Sequence, residues 1–138
     1  MNYPEEMCRP MRADLTSAGF LELRTPEDVS ALLDQKEGTV LLMVNSVCGC
    51  AAGNARPAVK IATGFDKKVD TFATVFAGQD IGATAKAREY MAPFPASSPS
   101  IAVFKDGDLV HFIERHHIEG RTAEMIADNL RDCFDQIC

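Results

Sequence analysis

The chain has 138 residues, 46% of them hydrophobic and 25% charged, with a formal net charge of -6. That length suits one domain with its own core, so a single unit over residues 1–138 is expected, with 1–18 as a helical N-terminal extension. The acidic balance argues against non-specific nucleic-acid binding, and no apolar run reaches the roughly 18 residues that cross a bilayer.

Residues 4 to 18 place Met7, Met11, Leu15 and Ala18 at helical spacing, with Pro10 expected to disturb or divide the helix. A short strand is predicted over Phe20 to Leu23. Thr25-Pro26-Glu27-Asp28 then starts a helix with a capping hydroxyl, a proline at the first turn and early acids. Val29, Leu32 and Leu33 face inward from it, and Gly38 is expected to end it. Thr39 to Asn45 is apolar on both faces and reads as a central strand.

A cysteine-bearing helix follows, predicted to run to Thr63 with a kink at Pro57. Phe72 to Ala77 is the next strand and Ile81 to Met91 the next helix, stopped by Pro93-Phe94-Pro95. Ser100 to Lys105 and Leu109 to Ile113 form a hairpin across Asp106-Gly107-Asp108. The last helix is predicted over Arg121 to Ile137. Its apolar stripe comprises Met125, Ile126, Leu130, Cys133, Phe134 and Ile137. Helices between the early strands imply right-handed parallel crossovers, and the hairpin adds antiparallel strands. The expected fold class is a three-layer α/β/α sandwich around a mixed sheet.

The chemistry centres on Cys48-Gly49-Cys50, between the central strand and a helix start. Amide N–H groups and the helix dipole there favour the thiolate, which is the reacting form of a thiol. A disulfide across one intervening residue needs a bent middle residue, and Gly49 permits the bend because it lacks a Cβ. Such a tight ring is expected to be readily reduced. Five cysteines is an odd number (Cys8, Cys48, Cys50, Cys133 and Cys138), and Met1 to Met11 contains no apolar secretory segment. Both features point to a reducing cytoplasm. Cys133 reads as a small buried hydrophobe, Cys138 as an exposed thiol, and Met7, Met11 and Met125 as core fillers. His111 sits on a strand, and His116 and His117 are placed in a loop. With one close cysteine pair in place of two spaced ligand pairs, no native metal site is expected.

The order of elements resembles the thioredoxin fold, in which a cis-proline lies beside the active thiol. Pro99, in Ser98-Pro99-Ser100 directly before the hairpin, matches that position. Ser98 would then offer its backbone to a substrate. Longer strings resemble the bacilliredoxins: Asn45 through Pro57, Thr74 through Asp80, Ser97 through Ser100, His111 through His116, and Ile118 through Arg121. The resemblance implies removal of bacillithiol from protein mixed disulfides. It makes Cys48 the attacking thiol and leaves Cys50, or a free bacillithiol, to resolve the adduct. It implies bacillithiol as co-substrate with no bound organic cofactor, bacillithiolated or disulfide-bearing proteins as partners, and a separate flavin-dependent reductase for recycling. Arg56 is a candidate ligand for a bacillithiol carboxylate. Two other readings stand beside this one: a protein disulfide isomerase or general disulfide reductase, and a non-catalytic metal or redox sensor.

Overall fold

A computed structural model describes residues 3–138. The elements run α1 (Glu5–Thr16), β1 (Leu21–Glu22), α2 (Pro26–Leu33), β2 (Thr39–Asn45), α3 (Arg56–Ala62), β3 (Thr71–Phe76), α4 (Ile81–Tyr90), β4 (Ser100–Lys105), β5 (Asp108–Ile113), α5 (Arg115–Ile118) and α6 (Ala123–Ile137). The five strands lie in the order β1-β3-β2-β4-β5. β1, β3 and β2 are parallel, and β4 is antiparallel to both β2 and β5.

Alternation along β2 divides the core into two layers. Leu41 and Met43 join Val59, Ile126, Leu130 and Phe134 under α3 and α6. Leu42 and Val44 join Val29, Leu33, Ala83 and Ala87 under α2 and α4. Because β2 is covered on both faces, it reads as an unbroken apolar run in the sequence. The three-layer arrangement and the mixed sheet follow the sequence expectation. So does the helix start at Thr25, whose hydroxyl accepts from Asp28 N–H while the Asp28 carboxylate accepts in return from Thr25 N–H.

Several details differ from expectation. α1 runs unbroken through Pro10. The carbonyl that this proline leaves without its helical partner belongs to Glu6, which is exposed, so water can satisfy it. Met7 is exposed, Met11 is half-buried, and the inward stripe is instead Cys8, Arg12 and Leu15. Arg12 tolerates burial because Asp80 and Glu5 accept its hydrogen bonds at 2.6–3.3 Å and the Phe76 ring lies beneath it. α2 stops at Leu33, before Gly38, which instead turns the chain with φ +100°.

The helix after the cysteines also departs from the simple kink. Residues Ala51–Ala55 form a π-helical turn ahead of α3, where Arg56 N–H donates to Ala51 O, five residues back. Pro57 lacks the N–H that would continue the α pattern, and the wider turn accommodates it. His116 and His117 lie on α5, not in a loop. α6 starts at Ala123, capped by the Thr122 hydroxyl, which accepts from Met125 N–H at 3.1 Å. Met125 is exposed. It sits about 100° round the helix from Ile126, off the buried stripe.

Candidate active site

Strand register builds the site. Val44 of β2 pairs with Ser100 of β4, so the segment leaving β2 toward Cys48 meets the segment entering β4 from Pro99. Ile101 pairs with Ile113, which brings the start of α5 to the same end of the sheet. The Ser98–Pro99 peptide bond is cis, as is Ala92–Pro93.

The chain turns helical at residue 49, which leaves Cys48 at the helix N-terminus. The Cys48 carbonyl accepts from Ala51 N–H at 3.0 Å and from Ala52 N–H at 3.2 Å. Its own N–H donates to Ser46 Oγ at 3.1 Å. Its sulfur accepts from Cys50 N–H at 3.2 Å. Burial opposes ionisation of Cys48, but the Cys50 and Ala51 N–H groups, the Cys50 thiol and the Arg115 charge together lower its pKa below the ordinary thiol value. Cys50 shifts the other way. Burial, the hydrogen bond to Cys48 and the charges of Cys48 and Glu119 all hold its proton on. Both thiols are half-buried, and Cys50 is the one packed against the core.

Two neighbouring thiols with opposed pKa shifts can act as one nucleophile and one proton-bearing partner. Gly49 between them is exposed, and an added Cβ there would meet nothing within 4 Å. The surface over the pair is therefore open.

Arg56 is not at this surface. It is 5% exposed, and its guanidinium donates to Asn45 Oδ1 at 3.0 Å, to Ser46 O at 2.9 Å and to Asp14 Oδ2 at 3.2 Å. The expectation that it meets a substrate carboxylate is corrected: its position on α3 points it inward, where it ties β2 to α1 and α3.

The cation that does reach the site is Arg115, which the sequence reading passed over. Its Nη1 donates to Ser98 O at 3.2 Å, its Nε to Glu119 Oε1 at 3.1 Å, and its backbone N–H to Ser97 Oγ at 3.4 Å. The signal lay in the hairpin. A residue just past β5 must fall beside the segment just before β4, and Arg115 and Ser98 occupy those places.

The remaining cysteines lie elsewhere. Cys8 is fully buried and Cys138 exposed. Cys133 packs against the core, and burial, with a smaller push from Cys138, raises its thiol to about 11.

The sequence model of the family described as disulphide isomerase matches residues 3–138. A bacilliredoxin of Cytophaga hutchinsonii is 56% identical over 135 residues, covering 98% of this chain and 99% of its own. A bacilliredoxin of Salinibacter ruber is 54% identical over 140 residues, covering 100% of this chain and 82% of its own. Among solved structures, the thioredoxin of Fasciola hepatica superposes with a TM-score of 0.59 at 19% identity, covering 86% of this chain and 100% of its own. A mutant thioredoxin of Halobacterium salinarum gives 0.60 at 16% identity, covering 87% and 91%. The fold is thus thioredoxin-like, and the chain is a thiol–disulfide oxidoreductase that belongs to the bacilliredoxin family.

Proposed function

We propose that this protein removes bacillithiol from protein mixed disulfides through Cys48. The observation that carries the reading is the Cys50 N–H directed at the Cys48 sulfur from 3.2 Å at a helix start, which favours the Cys48 thiolate. The Cys48 thiolate attacks the bacillithiol sulfur of the mixed disulfide. A Cys48–bacillithiol disulfide forms, the original disulfide breaks, and the protein substrate departs as a thiolate that takes a proton from water. Cys50, once deprotonated, then attacks the Cys48 sulfur. Bacillithiol leaves and a Cys48–Cys50 disulfide remains. A free bacillithiol can resolve the adduct instead, releasing bacillithiol disulfide for a separate flavin-dependent reductase. Ser98 and Pro99 form the opposing wall against which substrate backbone lies, and Gly49 leaves that approach open. The work belongs to a reducing cytoplasm. Among the described residues, no helix is long and apolar enough to cross a membrane.

Intact mass measurement tests the reading. With a bacillithiolated protein as substrate, the Cys50→Ser variant should accumulate one bacillithiol adduct and the Cys48→Ser variant none. Adduct on Cys48→Ser but not on Cys50→Ser would reverse the order, and adduct on neither would remove bacillithiol from the function. The family description favours disulfide isomerisation as the second reading. Refolding of scrambled ribonuclease without bacillithiol, lost in Cys48→Ser, would support it.

A further inference from the structure

Two of the three histidines, His116 and His117, lie side by side on α5. We propose that Glu114, His116 and His117 form a binding site for a borderline first-row divalent cation, with zinc as its probe, built from residues other than the thiols. One ligand atom from each of the three residues lies within 4.8 Å of the others. His116 Nε2 stands 3.8 Å from Glu114 Oε2, and the two imidazole rings are 4.1 Å apart, tilted by 50°.

Helical backbone causes the clustering. Glu114 is the N-cap of α5, and His116 and His117 follow within one turn. Zinc binds imidazole nitrogen and carboxylate oxygen at about 2.0–2.2 Å, which brings tetrahedral ligand atoms to roughly 3.3 Å from one another. Separations of up to 4.8 Å therefore have to contract by at most about 1.5 Å. Side-chain rotation can supply this, because both imidazoles are exposed while Glu114 is held partly buried, at 19% exposure.

The carboxylate is also free of competing cations. Arg115, the nearest in sequence, is directed to Ser98 O and Glu119 Oε1. Among the described residues, no lysine or arginine pairs with Glu114. Two nitrogens and one carboxylate oxygen suit zinc or copper(II) better than magnesium or calcium, which prefer all-oxygen sets. Three protein ligands leave a further position for water or an incoming group. His111 is not part of the set, because its Nε2 is engaged with Asn129 Oδ1 at 2.6 Å. The sequence offered no such site. Its pattern puts His116 and His117 in a loop, whereas the structure places them on a helical turn that Glu114 immediately precedes.

The test removes Cys48, Cys50 and Cys138 as competing thiols, while Cys8 is fully buried and Cys133 packs against the core. Zinc chloride is titrated calorimetrically into the full chain carrying Cys48→Ser, Cys50→Ser and Cys138→Ser. One zinc per chain at micromolar affinity is expected. His116→Gln, His117→Gln and Glu114→Gln should each weaken it by roughly tenfold or more, and His111→Gln should leave it unchanged. With copper(II), the electron paramagnetic resonance spectrum should report two coordinated nitrogens, reduced to one in His117→Gln. Circular dichroism checks that each surface variant is folded. Absence of binding in this triple-serine chain, equal binding after His116→Gln/His117→Gln, or loss on His111→Gln would each overturn the proposal.

Discussion

The backbone N–H of Cys50 points at the sulfur of Cys48 from 3.2 Å. The short spacer makes this possible, since the first helical turn folds the second cysteine's amide back over the first cysteine's sulfur. An anionic sulfur gains from that donor and a neutral thiol gains little. The folded value of Cys48 lies below the ordinary thiol value. The rate of Cys48 alkylation by iodoacetamide should therefore reach its half-maximum at a lower pH than that of the same cysteine in the urea-unfolded chain. Cys50, whose value is raised, should alkylate with a higher midpoint. Site-resolved mass spectrometry across pH measures both, and equal midpoints would contradict the assignment.

Arg115 adds a charge that the helix start cannot supply. Arg115→Ala should move the Cys48 alkylation midpoint upward and slow thiol exchange at neutral pH by roughly two- to fivefold, a modest effect because the guanidinium is partly solvated. The sign follows from charge: without the cation the thiolate is less favoured, so the midpoint rises. Arg115→Lys should recover most of the shift. High salt should shrink the difference between wild type and Arg115→Ala.

Arg56 should behave as a structural residue. Arg56→Met leaves the Ser46 carbonyl without its donor, while Asn45 Oδ1 keeps the Ser46 N–H and Asp14 keeps Lys60 Nζ. Leaving a buried carbonyl unsatisfied costs about 1–3 kcal/mol, and Asp14, partly exposed and still paired with Lys60, adds little to that. Urea unfolding should report the loss. Unchanged stability together with a selective defect in bacillithiol exchange would restore Arg56 to the binding surface.

Gly49 separates fold from chemistry. It lies in the first helical turn, and an added Cβ has open space. Gly49→Ala should leave the reduced protein as stable or raise its stability by about 0.5–1 kcal/mol, the usual gain for alanine over glycine in a helix. Closure of a Cys48–Cys50 disulfide should slow, because the bend it requires is freer for glycine. Thermal unfolding and quenched-flow thiol trapping read the two effects apart.

Local chemistry made much of this protein legible from its residues alone. The capping box at Thr25, the two-sided apolar run of β2, the Asp106-Gly107 turn and a thiol at a helix start each depend on neighbours within a few positions, so the one-dimensional pattern carries them. Tertiary structure alone decided which long polar side chains turn inward. Arg12 and Arg56 are buried because Asp80 and Asp14 meet them from positions 68 and 42 residues away in sequence. Met7 and Met125 are exposed for the complementary reason, that the core stripes of α1 and α6 run along other faces. At the site, the sequence determined that Cys48 would sit at a helix start, where amides favour its anion. Strand register then decided that the segments carrying Ser98, Pro99 and Arg115 would lie at the same end of the sheet as the segment that carries it. Hydrogen-bonded pairing of β2 with β4 and of β4 with β5 brings together segments that are far apart along the chain.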